Sequence, residues 1–304
     1  MTDSYNALEH CLEENGIRYE WGVPLKEYTS FKIGGNCTIL LSPDSIEQVQ
    51  NAIRCCRKHN INYFILGKGS NLLVSDDGFE GAVICTSNSL HEITMVGETT
   101  IACQAGVHLS KLCTFAFEQG LTGLEFAYGI PGTVGGAAYM NAGAYGGEMK
   151  DVITRCDHID GEGNPGTFLR KQLDFSYRHS AYSDQNYCIT TIYFRLQKGD
   201  PEAIKARMEE LMHRRVTKQP LEYPSAGSTF KRPEGAYASA LIEQCGLKGR
   251  SVGDAQVSEK HSGFLINRGE ATCKQVLELI EQVQQEVYER TGFSLECEVK
   301  RIGF

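Results

Sequence analysis

Two glycine-rich segments of the sequence have the composition of phosphate-binding loops. The first, GKGSN at residues 67–71, follows the apolar run Tyr63–Leu66, which predicts a buried strand. Small residues in such a turn would let successive backbone N–H groups face a phosphate, and Ser70 and Asn71 could add side-chain hydrogen bonds. Turn chemistry alone fits an ordinary loop after a strand equally well.

The second segment, YGIPGTVGG at residues 128–136, strengthens the case for a ligand. Two backbone cradles suit the long diphosphate of a dinucleotide better than one cradle does. The small residues Ala137, Ala138, Ala142 and Gly143 that follow would leave room for a flat ring system. The two segments together therefore predict a dinucleotide site built mainly from backbone.

Other motifs argue against several enzyme classes. The sequence GEGNPG at residues 161–166 formally matches the G-x-G-x-x-G fingerprint, but Pro165 and the lack of a helical pattern after it favour a β-turn. The sequence contains no Walker A loop and no H-E-x-x-H motif. Phosphoryl transfer and zinc-dependent hydrolysis therefore lack their usual sequence support.

The composition is that of an ordinary globular protein. The chain has 304 residues, of which 41% are hydrophobic and 22% charged, and a length of roughly 150 residues per domain predicts about two domains. The formal net charge of −8 argues against a nucleic-acid or anionic-membrane partner, because phosphate binding is driven by an excess of Lys and Arg.

The cysteines and the N-terminus predict a protein of a reducing compartment. The twelve cysteines are scattered without a C-x-x-C pair, so we expect most of them to be buried, reduced and inert, and we expect no metal site. The opening residues, MTDSYNALEHCLEENG, lack the basic start and apolar stretch of a signal peptide, and no apolar run is long enough for a transmembrane helix. We therefore expect a cytoplasmic chain without membrane insertion.

The elements that must position these segments alternate between strands and helices. Ser42 followed by Pro43 predicts a helix start, and the helical pattern continues to about Lys58. A linker ending in Asp200-Pro201 predicts a domain boundary and the start of a further helix. The other predicted elements are helices over 109–117 and 272–290, the latter with a capping box, and strands over 81–85, 92–96, 99–104, 151–159, 187–196 and 295–300.

Longer stretches of the sequence resemble one known family. The segments YTSFKIGG (28–35), GKGSNLLV (67–74) and GIPGTVGGAAYMNAGAYGGE (129–148) are similar to bacterial UDP-N-acetylenolpyruvoylglucosamine reductases and, more loosely, to other flavoproteins. Four further segments are specific to these reductases: SYRHS (176–180), GSTFKRP (227–233), HSGFLIN (261–267) and ECEVKRIGF (296–304). The resemblance covers nearly the whole chain in order.

The resemblance implies both a fold and an activity. The fold would be α+β, with a two-subdomain FAD-binding fold of the vanillyl-alcohol-oxidase type over residues 1–199 and a smaller α+β substrate-binding domain over residues 200–304. The implied activity is the NADPH-driven, FAD-dependent reduction of UDP-N-acetylglucosamine enolpyruvate to UDP-N-acetylmuramate. This is a cytoplasmic step of peptidoglycan precursor synthesis, which supports cell shape and division. The FAD would be noncovalent, the partners would be small molecules, and a monomer is favoured over an oligomer.

The resemblance also assigns site residues. Arg178, Ser228 and Glu298 match the catalytic trio of the family, and Tyr177 and Lys231 match substrate-binding positions. The expected FAD-binding residues are Ile33, Gly34, Gly67, Lys68, Gly69, Ser70, Asn71, Gly129, Ile130, Pro131, Gly132, Thr133, Gly135 and Gly136.

The residue types of the trio suit the implied chemistry. Hydride addition to the vinyl carbon leaves enediolate charge, which the planar guanidinium of Arg178 would stabilise, while Ser228 would give the α-carbon a proton. Glu298 would contribute only if it is protonated or bridged through Arg178. Without the resemblance, the three would be interpreted as a surface charge, a turn residue and part of a solvated strand face.

The sequence departs from longer members of the family, in which an inserted loop carries a tyrosine that folds over the substrate. Residues 239–264 are too few to contain that loop, so the chain resembles the shorter subclass, and what closes the site over UDP stays open. Two other functions also stay open. One is a different flavin oxidase of the same fold, although none of the residues assigned to FAD binding is a His or Cys that could form a covalent flavin link. The other is a nucleotide-sugar-binding regulator without redox chemistry.

Overall fold

The protein divides into two compact units, each assembled from separate stretches of the chain. The computed structural model describes residues 2–304. Unit 1 contains the described residues up to Trp21 together with Thr38–Lys68 and Gly81–Arg214. Unit 2 contains Gly22–Cys37, Gly69–Glu80 and Arg215–Phe304.

Helices and strands are mixed throughout residues 2–304, which confirms the α+β class. The α-helices are α1 (Thr2–Glu14), α2 (Ile46–Lys58), α3 (Leu109–Glu118), α4 (Val134–Tyr139), α5 (Met149–Val152), α6 (Pro201–Lys218), α7 (Ala238–Gln244) and α8 (Cys273–Thr291). The first strands are β1 (Arg18–Trp21), β2 (Cys37–Ser42), β3 (Tyr63–Leu66), β4 (Leu72–Val74), β5 (Phe79–Cys85), β6 (Ile93–Met95), β7 (Thr100–Gln104), β8 (Leu121–Thr122), β9 (Gly143–Ala144) and β10 (Gly147–Glu148). The remaining strands are β11 (Ile153–Ile159), β12 (Pro165–Leu169), β13 (Cys188–Arg195), β14 (Gln197–Lys198), β15 (Ser225–Ser228), β16 (Ser251–Val252), β17 (Ala255–Val257), β18 (Phe264–Asn267) and β19 (Lys300–Ile302). Over these same residues no helix combines the length and the apolar character needed to cross a bilayer.

The first sheet of unit 1 has the strand order β1-β2-β5-β3, with β3 parallel to β5. Helix α2 buries Val49, Ile53 and Cys56 in the core beside this sheet. The prediction of a helix ending at Lys58 is confirmed, but the predicted N-cap is wrong. Ser45, not Ser42, caps α2 by accepting a hydrogen bond from the Gln48 backbone N–H at 3.1 Å. Local side-chain bonding thus decided the cap.

The second sheet of unit 1 has the strand order β12-β11-β13-β7-β6 and is antiparallel throughout. Helices α3 and α4 bury Leu112, Val134 and Ala138 in its core. The predicted strand over 151–159 begins later, at Ile153, because α5 occupies the preceding residues. The segment at 161–166 turns between β11 and β12 rather than leading into a helix, as its Pro predicted.

Unit 2 is built on the sheet β15-β18-β17-β16, which packs with α7 and α8. Thr272 and Gln275 form the predicted capping box of α8. The predicted strand over 295–300 is placed too early: strand β19 begins only at Lys300 and runs parallel to β4. Leu295 and Val299 are buried as the alternation indicated, but alternation reports burial, whereas a strand also needs a backbone partner.

The cysteines follow the expectation with one exception. Cys11 in α1 and Cys55 in α2 form a disulfide, which the sequence analysis did not predict. The other ten are free, and all of them except Cys297 are fully buried. Burial raises the pKa of the Cys37 thiol to about 11 and that of Cys56 to about 12, so these thiols are protonated and unreactive at neutral pH.

Candidate active site

Gly67, at the start of the first glycine-rich segment, meets the second segment within unit 1. Gly67 directly follows the end of β3, and Thr133 is the N-cap of α4. A Cβ added to Gly67 would lie 2.7 Å from Thr133 Oγ1, so only glycine allows this approach. The end of β3 at Gly67 and the first turn of α4 therefore form one continuous surface of small residues.

Neighbouring glycines of α4 have different surroundings. The Gly135 N–H donates to the Ala105 carbonyl at 2.9 Å, and an added Cβ would lie 2.8 Å from Ala105 Cβ. Packing inside unit 1 therefore requires glycine at 135 whether or not a ligand binds. Gly136 is exposed, and an added Cβ there would meet only Thr133 Oγ1, at 3.5 Å. The backbone of Gly136 is consequently open to solvent or to a ligand.

A positive charge lies beside this surface. Lys68 is exposed, and its charge acts on His108, whose backbone forms a β-bridge with Thr133. Burial lowers the pKa of His108, and the Lys68 charge lowers it further, so His108 is neutral at pH 7. Lys68 therefore supplies the positive charge there, as phosphate binding would require. The sequence analysis did not single out His108, because no motif includes it.

Five of the residues predicted to bind FAD lie in unit 2: Ile33, Gly34, Gly69, Ser70 and Asn71. Ile33 is buried in the core of that unit, so its backbone rather than its side chain is available to a ligand. Gly34 lies against Val74, where an added Cβ would approach Val74 Cβ to 2.4 Å. Asn71 contacts a predicted catalytic residue: its Nδ2 donates to the Glu298 carbonyl at 3.2 Å.

Two members of the predicted catalytic trio are neighbours in unit 2. The Glu298 backbone N–H donates to the Thr229 carbonyl at 2.8 Å, directly after Ser228. Ser228 is paired with Phe264 in the β15–β18 ladder, next to an irregularity in the register. Both Ser228 and Glu298 are half-buried, so neither is a fully solvated surface residue. The structure therefore brings Asn71, Ser228 and Glu298 together.

Lys231 also lies in unit 2, three residues after Ser228. Its backbone N–H donates to the Glu296 carbonyl at 2.8 Å, and its Nζ lies 3.0 Å from Glu296 Oε2. The Glu296 side chain is 76% exposed, which makes the ion pair weak in water. A more strongly charged anion could therefore draw the Lys231 ammonium away from Glu296.

Arg178 lies in unit 1 on a two-residue turn. Ser176 and His179 exchange two backbone hydrogen bonds of 3.2 Å each, which places Tyr177 and Arg178 at the tip. Arg178 has a φ of 57°, a left-handed conformation that costs free energy for a residue with a side chain. Its guanidinium lies 5.0 Å from the centre of the Tyr177 ring, and Nη2 lies 3.5 Å from the Gly143 carbonyl. Tyr177 is 46% exposed.

Side chains that sequence reasoning missed hold this turn. Ser180 is fully buried, and its hydroxyl donates to the Tyr139 carbonyl at 2.7 Å. Asn141 is also fully buried and donates from Nδ2 to the Ser176 carbonyl at 2.9 Å. Neither residue was assigned a role from the sequence, because a single polar residue in a loop fits an ordinary turn equally well.

A surface cavity of about 690 Å³ lies elsewhere in unit 2. Its lining includes Asp76, Asp77, Lys274, Glu278 and Phe304. None of the residues predicted to bind FAD or substrate lines it. Asp76 accepts hydrogen bonds from the Cys273 and Lys274 backbone N–H groups, so this carboxylate stabilises the start of α8.

Comparison with known proteins identifies the class and then the family. Residues 38–166 match the family model of an FAD binding domain, and residues 219–302 match the C-terminal domain of UDP-N-acetylenolpyruvoylglucosamine reductase. A chitooligosaccharide oxidase shares the fold at a TM-score of 0.50 over 96% of this chain and 60% of its own, with 12% identity. The protein is thus an FAD-dependent oxidoreductase with a fold of the vanillyl-alcohol-oxidase type.

Closer relatives establish the family. The UDP-N-acetylenolpyruvoylglucosamine reductase of Clostridium novyi is 50% identical over 99% of this chain and 97% of its own length. That of Clostridium botulinum strain Okra is 50% identical over 92% of this chain and 91% of its own. The crystal structure of the reductase from Thermus caldophilus matches with a TM-score of 0.81 and 35% identity over 94% of this chain and all of its own. The chain belongs to the UDP-N-acetylenolpyruvoylglucosamine reductase family.

Proposed function

We propose that this protein reduces UDP-N-acetylglucosamine enolpyruvate to UDP-N-acetylmuramate in the cytoplasm, with NADPH as the reductant. The product is a peptidoglycan precursor. Identity of 50% over nearly the full length of a named reductase supports the activity. The structural observation that carries the proposal is the backbone bond from Glu298 to Thr229, which brings Glu298 beside Ser228 in unit 2. Residues 1–199 would bind the cofactor as a domain, and residues 200–304 the substrate.

The small-residue surface of unit 1 fits the diphosphate of a noncovalent FAD. Exposed backbone at Gly136 allows close approach, and the exposed Lys68 offers positive charge. Gly67, Gly132 and Thr133 would line the same surface, and Gly129, Ile130 and Pro131 lie just before it in the chain. Gly69, Ser70 and Asn71, which lie in unit 2, stay predicted FAD-binding residues. When bound, FAD would supply the two-electron carrier between NADPH and the enolpyruvyl group.

Arg178 would stabilise the charge that develops on the substrate. Addition of hydride to the vinyl carbon leaves negative charge on the α-carbon, shared with the neighbouring carboxylate. A guanidinium offers a planar pair of donors to such an enediolate, which an ammonium does not. Its left-handed backbone fits this role, because costly conformations are retained where a side chain has to be aimed. Tyr177, beside it, would contact the substrate.

Ser228 would deliver a proton to the α-carbon and thereby fix the stereocentre of the lactyl ether. A serine is a weak acid, but an enediolate carbon is basic enough to take its proton. The Lys231 ammonium, which is held only by an exposed carboxylate, would bind the substrate and offset the charge on the Ser228 oxygen. An ionised Glu298 would repel the enediolate, so Glu298 would act either as a neutral hydrogen-bond donor or through Arg178.

The experiment is spectroscopic first and kinetic second. The purified protein should be yellow, should bleach anaerobically with NADPH and should regain colour when the enolpyruvyl substrate is added. A colourless protein that binds the nucleotide sugar would favour the regulator. Bleaching by NADPH without recovery on the enolpyruvyl substrate would favour a different flavin enzyme. Sedimentation of the same sample tests the proposed monomer.

The FAD surface has a separate test in Gly136→Ala. Alanine favours the helical conformation of α4, so the apoprotein should be as stable as the wild type or slightly more stable. A methyl group on this surface should nevertheless weaken FAD binding roughly tenfold, which corresponds to about 1.4 kcal/mol. FAD titration of the apoprotein measures this, with Gly97→Ala on the β6–β7 hairpin as control. Unchanged FAD affinity in Gly136→Ala would exclude Gly136 from the binding surface.

A further inference from the structure

We propose that Asn141 positions Arg178 for the reaction. The proposal rests on the function proposed above, in which Arg178 acts on the substrate. Asn141 lies in the glycine-rich segment, 37 positions before Arg178. Its side chain is 0% exposed, so it cannot touch substrate itself and must act through the residues around it.

The side-chain amide of Asn141 bonds to three partners. Nδ2 donates to the Ser176 carbonyl at 2.9 Å and to Glu148 Oε2 at 2.8 Å, while Oδ1 accepts from the Lys150 backbone N–H at 2.9 Å. Two acceptors face Nδ2 and one donor faces Oδ1, so a single orientation of the amide satisfies all three bonds. A buried polar group satisfied in this way specifies one geometry, because every alternative leaves a group unpaired.

These bonds join the Arg178 turn to the segment beneath it. Ser176 begins the turn that has Arg178 at its tip. Gly143, two residues after Asn141, offers its carbonyl to the guanidinium itself at 3.5 Å. Residues 141–143 therefore bond both to the base of the turn and to the guanidinium of Arg178. Loss of the amide would release the base and let the guanidinium move relative to a fixed substrate.

The backbone of Asn141 makes a clean substitution possible. Its φ is 42°, in the left-handed region that glycine adopts without cost and asparagine tolerates. Asn141→Gly therefore removes the amide without adding backbone strain, whereas alanine would add strain. Asn141→Asp keeps the shape but places an oxygen opposite the Ser176 carbonyl and the Glu148 carboxylate.

The test is a double-mutant cycle on the flavin-loaded protein. Wild type, Asn141→Gly, Arg178→Ala and the double variant are compared by stopped-flow absorbance, with bleaching by NADPH and reoxidation by the enolpyruvyl substrate followed separately. We expect Asn141→Gly to slow reoxidation roughly 10- to 100-fold, since displacement of a catalytic group by about 1 Å can cost that much. Bleaching should change by less than about twofold, and so should reoxidation when Asn141→Gly is added to Arg178→Ala.

Tyr139→Phe is the matched control. Its hydroxyl donates to the Ser183 carbonyl at 3.1 Å, so it anchors the same stretch of chain without touching Ser176. Flavin content and melting temperature are measured for every variant. Reoxidation should stay near the wild-type rate in Tyr139→Phe, and Asn141→Asp should be slowed like Asn141→Gly.

Several results would overturn the proposal. One is a normal reoxidation rate in Asn141→Gly or in Asn141→Asp. Another is that Asn141→Gly slows reoxidation as much in the Arg178→Ala background as in the wild type. A third is that Asn141→Gly slows bleaching and reoxidation equally. If neither Asn141 variant folds with flavin, the role is a general structural one and the proposal is also lost. If wild-type protein is not reoxidised by the enolpyruvyl substrate, the proposed function fails as well, whereas the other results leave it intact.

Discussion

The Arg178 turn in unit 1 and the Ser228–Glu298 neighbourhood in unit 2 are held in different ways. Side chains anchor the Arg178 turn, through the Asn141 amide and the Ser180 hydroxyl. Backbone hydrogen bonds mainly anchor the other neighbourhood, where the Glu298 N–H donates to the Thr229 carbonyl and the Thr229 N–H donates to the Gly263 carbonyl. One side chain adds to them, since Asn71 Nδ2 donates to the Glu298 carbonyl.

This difference bears on how each region tolerates substitution. A backbone hydrogen bond survives the replacement of almost any side chain, whereas an anchoring side chain is lost in a single substitution. The placement of Arg178 should therefore depend on residues that never touch substrate. The placement of Ser228 and Glu298 should depend mainly on the strand pairing of unit 2. Substitutions at five positions test this contrast, starting with the reacting groups and ending with distant support.

Ser228→Ala should have the largest effect. Removal of a general acid typically costs about 10²–10⁴-fold in rate, and here the loss should fall on reoxidation by substrate alone. Bleaching by NADPH should stay near normal, because it involves no substrate carbon. Ser228→Cys restores a transferable proton and should recover part of the loss. Stopped-flow absorbance of each half-reaction measures this, and equal slowing of both would remove Ser228 from the proton step.

Arg178→Lys should come next. Lysine keeps the charge but loses the planar pair of donors, and removal of such a stabilising donor costs about 10²–10³-fold in turnover. Steady-state turnover at saturating substrate gives the value, with Arg170→Lys on the exposed face after β12 as a control. A turnover number close to that of the wild type would reassign Arg178 to the surface.

Ser180→Ala and Thr229→Val compare the two kinds of support directly. Ser180→Ala removes the bond to the Tyr139 carbonyl and should lower turnover roughly tenfold by loosening the Arg178 turn. Thr229→Val leaves the buried Leu265 N–H without its Oγ1 partner, which should cost about 1–3 kcal/mol of stability. Turnover of Thr229→Val should change little, because its backbone bonds remain. Denaturant unfolding and turnover are measured for both variants. A loss of turnover in Thr229→Val with normal turnover in Ser180→Ala would contradict the contrast.

His158 should give the smallest effect, and only on stability. Burial lowers the pKa of His158 from its ordinary value of 6.5, and its Nδ1 lies 3.0 Å from the hydroxyl of Tyr182, two residues after Ser180. Unfolding therefore takes up a proton below pH 6.5, so the free energy of unfolding falls as the pH drops from 6.5 towards the lowered value.

One proton contributes at most about 1.4 kcal/mol per pH unit. His158→Gln should flatten the pH dependence of the free energy of unfolding below pH 6.5 without abolishing it, because burial also lowers the pKa of His261. Denaturant unfolding at several pH values measures how the free energy of unfolding changes with pH in the wild type and in the variant. Identical slopes for the variant and the wild type would show that His158 does not contribute.

The sequence predicted much of the fold because its signals are local. The apolar spacing and capping box of α8, the run that forms β3, and the proline that stops a helix after residue 161 each act within a few residues. Where prediction erred, the competing partner was elsewhere in the chain. The stretch 295–299 alternates like a strand, yet it pairs only at the isolated bridge between Cys297 and Phe230, and the true strand lies beyond it against β4.

The same distinction applies to the candidate site. The resemblance to the family singled out Arg178, Ser228 and Glu298, because each lies in a segment characteristic of that family. Only the folded chain decided that Asn71 bonds to the Glu298 carbonyl, that Cys11 pairs with Cys55, and that Asn141 reaches Ser176. Each of these contacts joins residues far apart in sequence, and no local pattern encodes a contact whose two partners meet only after the chain has closed the long loop between them.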